Sequence, residues 1–84
     1  MTDRRTGVSV APALQELGRA IWARRCELGM TQEDAAWACR LERAHFGSVE
    51  RGDCNPTYLT LLEIARGLDL EPEVLLRLAR TDDT

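Results

Sequence analysis

The stretch GMTQEDAAWACRLERAHFGSVERG, residues 29–52, decides how this chain folds. Gly29 suits the position just past a helix end, where a left-handed residue closes the last turn. Two residues on, the Thr31 hydroxyl is placed to accept backbone N–H groups of a following helix, and Asp34 is a shortened form of the reciprocal capping acid. The spacing predicts a helix from 32 to about 39. A further short helix, Glu42 to Arg51, turns Leu41, Phe46 and Val49 inward. It sets Arg43, Ala44, Gly47, Ser48 and Arg51 on the opposite side, and Gly52 stops it.

Working outward from that stretch, the same period continues in both directions. Upstream, Leu14, Leu17, Gly18, Ile21 and Leu28 share one stripe of a helix over about 12–28, with Pro12 in its first turn. Downstream, Asn55-Pro56 marks a turn and Thr57 caps a fourth helix. Leu61, Leu62, Ile64, Ala65 and Leu68 form its buried stripe, up to Gly67. Pro72 suits the first position of a fifth helix, Glu73 to about Arg80. Val74, Leu75, Leu76, Leu78 and Ala79 make that helix apolar on more than one side, which points to a second copy of the chain, with Leu75 and Leu78 as the interface. No strand-like alternation of β-branched residues competes with these helices, so the fold class is all-α. The expected organisation is an N-terminal arm over 1–11, one helical domain over 12–80 and a tail over 81–84.

Composition agrees with a single small core. Two cores would need roughly 100 residues apiece, and the chain has 84, of which 44% are hydrophobic and 30% charged. No apolar run approaches the roughly 20 residues of a membrane span, and no secretory leader is recognisable, so the expected compartment is the cytoplasm. Cys26, Cys39 and Cys54 are odd in number and lack metal-site spacing. They read as reduced thiols, Cys39 as a small core residue and Cys54 alternatively as a redox-sensitive one. With His45 the one histidine, no paired acid and base beside a nucleophile and no glycine-rich phosphate loop, the chain has no parts for catalysis, a metal or a cofactor.

The formal charge of −3 is unevenly spread: residues 19–52 carry six Arg against five acids, and residues 53–84 three Arg against seven. That asymmetry permits a basic middle face beside an acidic body.

Two short helices joined by about three residues, the first with Ala36 at a packing position and the second with a polar outer face, describe a helix-turn-helix. The run Leu17-Gly18, Ile21, Arg25, Gly29 to Ala36, Leu41-Glu42-Arg43, Phe46, Val49-Glu50-Arg51-Gly52, Asn55-Pro56, Leu61, Ile64-Ala65 and Leu68 closely resembles the Cro and lambda-repressor type of helix-turn-helix, the Xre family. The resemblance covers 14 to about 76. It implies a compact five-helix lambda-repressor-like domain with the motif at helices 2 and 3. The length and Leu41-Glu42-Arg43 make the chain similar to small stand-alone members such as restriction–modification controller proteins, phage repressors and antitoxins.

The resemblance further implies a transcriptional regulator that binds double-stranded DNA at an inverted repeat as a homodimer, with helix 3 in the major groove. Arg43, Ala44, His45 and Ser48 would face base edges. Arg43 is the principal reader, because a guanidinium meets guanine O6 and N7 together. Gln32 and Arg51 would grip the phosphate backbone and position the protein. Arg25 and Glu50 match an ion pair that links helix 1 to the end of helix 3. Departures from the pattern bear on the expectation. Arg40 stands where the family favours Gly, and Gly47 weakens the reading helix. Trp22 and Trp37 replace polar residues, either packing against Arg stems or forming a protein-contact patch. The alternative function is accordingly a protein-interaction module on the same fold, using Trp22, Trp37 or helix 5, with weak or no DNA binding. His45 either reads DNA or packs against helix 2.

Overall fold

The computed structural model describes residues 10–80, and among them every regular element is helical: α1 (Val10–Glu27), α2 (Gln32–Ala38), α3 (Arg43–Arg51), α4 (Tyr58–Gly67) and α5 (Pro72–Leu78). The expected arm and tail lie outside the described residues, except that Val10 and Ala11 already belong to α1. None of these helices is long and apolar enough to cross a membrane.

The helix boundaries follow local chemistry. Thr31 Oγ1 accepts the Asp34 amide at 3.0 Å while the Thr31 amide donates to Asp34 Oδ2 at 3.2 Å, a complete capping box at the start of α2. Thr57 Oγ1 accepts the Thr60 amide at 3.1 Å and starts α4, and Pro72 opens α5. Gly52, at φ 80°, closes α3. Arg40, in the turn between α2 and α3, adopts φ 59°, a left-handed conformation that costs a residue with a Cβ roughly 1 kcal/mol.

Phe46, Ile21, Ile64, Leu68, Leu75, Val49 and Cys39 are the largest fully buried side chains, so all five helices meet in one core. Burying a side chain such as Phe46 contributes about 2 kcal/mol. Two glycines set how closely the helices approach. A Cβ on Gly18 would strike the main-chain carbonyls of Glu50 and Val49, and one on Gly67 would lie 2.7 Å from the backbone of Cys39. Gly18 therefore seats α1 on the end of α3, and Gly67 seats α4 on the end of α2. Arg24 Nε donates to the Leu68 carbonyl at 2.9 Å and Nη2 to the Asp69 carbonyl at 3.3 Å, which fastens α1 to the C-terminus of α4.

Two apolar residues differ from the expected stripes. Leu28 lies beyond the end of α1 and is 38% exposed. Leu75, expected at a subunit interface, is 1% exposed in the chain's own core. A helix of two turns that is apolar all round leaves open which leucine turns inward, and packing against α1 and α4 selects Leu75.

Burial, with the Glu63 carboxylate adding to it, pushes the Cys39 thiol up from 9.0 to about 11. The folded chain thus keeps a proton that the unfolded chain releases between these values. This contribution to stability is fully present below pH 9 and is lost as pH rises to about 11. Urea titrations across that window should show stability falling for wild type and a shallower fall for Cys39→Ala; equal slopes would refute the assignment.

Candidate nucleic-acid interface

The placement of α3 depends on Glu50, one residue from its end. Its Oε2 accepts Arg25 Nε at 2.7 Å, and its Oε1 accepts both Arg25 Nη2 at 3.2 Å and Gln32 Nε2 at 2.7 Å. Arg25 Nη1 donates to the Met30 carbonyl at 2.9 Å. One carboxylate therefore ties α1 and the first residue of α2 to α3, while its Arg partner holds the turn between them. The Arg25 and Glu50 side chains are only 14% and 5% exposed. Hydrogen bonding to Glu50 holds the Arg25 guanidinium above its ordinary pKa despite its burial.

On this frame α3 presents Arg43, Ala44 and His45 to solvent, with Ser48 half-buried behind them. His45 is exposed rather than packed against α2. Among the described residues Arg43 has no carboxylate within ion-pair distance. Arg51, 62% exposed, donates from Nε to Asp53 Oδ2 at 3.0 Å. Gln32 is half-buried, and its bond to Glu50 leaves its second amide hydrogen and its oxygen unassigned.

Gly47 corrects the reading of α3's outer face. It is buried, not exposed, because Arg51 Nη1 and the Gln32 amide close over it: a Cβ there would lie 3.2 Å from the first and 3.8 Å from Oε1 of the second. Gln32 and Arg51, expected separately as backbone contacts, are thus brought to one place. Arg43, Ala44 and His45 lie along the exposed N-terminal turn of the same helix. Leu78, 55% exposed, stands against the outer side of α1 near Ala20 and Ala23, and Leu76 is 53% exposed. With Leu75 in the core, Leu76 and Leu78 are the free leucines of α5.

Several exposed groups escaped the sequence reading or were left open by it. Tyr58 and Leu59, each 71% exposed, fall at the start of α4, ahead of its buried stripe. Trp22 is 52% and Trp37 85% exposed, so the Arg stems do not cover Trp37. Among the described residues no group of three His, Cys, Asp or Glu is placed to hold a metal ion.

Comparison with known proteins agrees with this geometry. The model of the helix-turn-helix domain family matches residues 16–79. An uncharacterised HTH-type transcriptional regulator of Sinorhizobium fredii, y4dJ, is 37% identical over 60 residues, which cover 71% of this chain and 75% of the relative. Among solved structures, the restriction-modification controller protein C.AhdI from Aeromonas hydrophila is 35% identical, with a TM-score of 0.72, over 74% of this chain and 94% of that one. The wild-type controller protein C.Esp1396I is 33% identical, with a TM-score of 0.74, over 80% of this chain and 87% of that one.

The buried pair and the exposed pair should respond differently to truncation. Arg25→Met strands the Glu50 carboxylate and should cost about 3 kcal/mol in a denaturant titration. Arg51→Met, at the surface, should change stability by less than about 0.5 kcal/mol. Equal effects would show that the Arg25 contact carries no special weight.

Proposed function

The chain belongs to the helix-turn-helix domain family and is a DNA-binding regulator of transcription, and from that premise we propose that it reads an inverted-repeat operator as a homodimer. Arg43 is the base reader of this proposal. The observation that carries it is an exposed guanidinium at the first residue of α3, without a carboxylate partner among the described residues, on a helix whose orientation is fixed from behind by Glu50. From that position Arg43 can meet a guanine edge with both nitrogens. His45 and Ser48 offer further polar contacts, Ala44 offers a methyl surface, and Gln32 and Arg51 take the phosphates alongside. In this proposal it acts in the cytoplasm, as a repressor or controller.

Pairing is proposed through the exposed leucines of α5, Leu76 and Leu78. Two copies are needed because one short helix spans only a few base pairs, whereas a two-fold pair reads half-sites about one helical turn apart. Trp37, 85% exposed on α2, favours a second reading in which the same fold binds a protein partner.

Selection from a random duplex pool near 0.15 M salt separates these readings. Wild type should enrich a two-fold-symmetric site, and Arg43→Ala should lose about 1 to 3 kcal/mol of discrimination at particular base pairs. No enrichment by a folded protein would transfer the weight to the protein-partner reading. Leu76→Glu with Leu78→Glu should convert dimers to monomers in sedimentation equilibrium and weaken operator binding; an unchanged mass would remove α5 from the interface.

A further inference from the structure

Three glycines lie inside helices and pack against other residues, and they divide into two kinds. At Gly18 and Gly67 the atoms that a Cβ would meet include backbone of α3 and of the α2 terminus, so the fold itself excludes a side chain. At Gly47 the nearest atoms are Arg51 Nη1 at 3.2 Å, Gln32 Oε1 at 3.8 Å and Gln32 Nε2 at 3.9 Å, all ends of flexible polar side chains. Packing does not demand a glycine there, and helix propensity disfavours one.

We propose that Gly47 is a positioning residue for the DNA backbone: its missing side chain leaves the seat in which the Arg51 guanidinium and the Gln32 amide lie together to take one phosphate. The inference rests on the DNA-binding reading above. Side chains of an α-helix lean over the turn that precedes them, so Arg51 covers the position four residues back, which is Gly47. Asp53 accepts from the guanidinium at Nε, and Glu50 holds Gln32 through one amide hydrogen. Both groups therefore keep further N–H donors near the one position where a Cβ is missing. Any larger residue at 47 occupies the seat and pushes Arg51 outward.

The test is a graded series, Gly47→Ala and Gly47→Leu, with Arg51→Ala alone and combined with Gly47→Leu. Operator affinity is titrated against salt, and thermal unfolding is followed in parallel. Both replacements are better helix formers than Gly, so the melting temperature should hold or rise. Affinity should fall, modestly for Ala and about tenfold for Leu, the loss of one charge-assisted contact. The slope of log affinity against log salt should become shallower by about 0.9, as expected for one phosphate contact. In the Arg51→Ala background, Gly47→Leu should add little. An unchanged slope with weakened binding would mean a direct clash with DNA and would overturn the proposal, as would additive losses or unchanged affinity. If wild type binds no duplex while folded, the DNA-binding reading fails first; if it binds and only this series disagrees, the positioning role alone is wrong.

Discussion

The Glu50 carboxylate holds this structure in register. It sits nearly buried at the end of α3 and receives three hydrogen bonds, two from Arg25 of α1 and one from Gln32 of α2. A buried ion pair is a weak source of net stability compared with apolar packing, but removing one partner is costly. Its effect is therefore selective: it penalises arrangements in which α3 slides or rotates against its neighbours. Gly18 is the steric counterpart, because the close seating of α1 on the Val49–Glu50 backbone brings Arg25, two turns further along, within reach of the carboxylate. Hydrogen bonding and close approach thus fix the same joint from two ends.

That joint explains how an acidic protein keeps a basic side on α3. The net charge is −3, and the excess acid lies beyond residue 52. Within the motif, Glu50 is spent on Arg25 and Gln32, so it does not neutralise the exposed face of α3. Arg43 stands clear of carboxylates among the described residues, while Arg51 is shared with Asp53. The placement of charge, more than its sum, determines what such a face attracts.

Much of the fold was legible in the sequence because its signals are local. Thr31 with Asp34, Thr57, Pro72 and Gly52 act within one turn of themselves, and the helices begin and end within about two residues of where these signals put them. The Arg25–Glu50 pair came from family resemblance, since nothing in its spacing of 25 residues announces contact. What was hidden depends on three-dimensional neighbours. Leu75 and Leu78 are indistinguishable on a two-turn apolar helix until α1 and α4 are placed. Gly47 lies on the polar side of α3 by helical period, yet long side chains from positions 32 and 51 roof it over. Periodicity orients a backbone and is blind to what reaches across from another element.

The Arg51–Asp53 pair leaves the two ends of α3 electrostatically unequal. At the C-terminal end the guanidinium carries its own counter-anion, which weakens the field it projects, whereas Arg43 at the N-terminal end has no carboxylate at ion-pair distance among the described residues. The backbone dipole of α3 adds to the same difference, since its positive end also lies at Arg43.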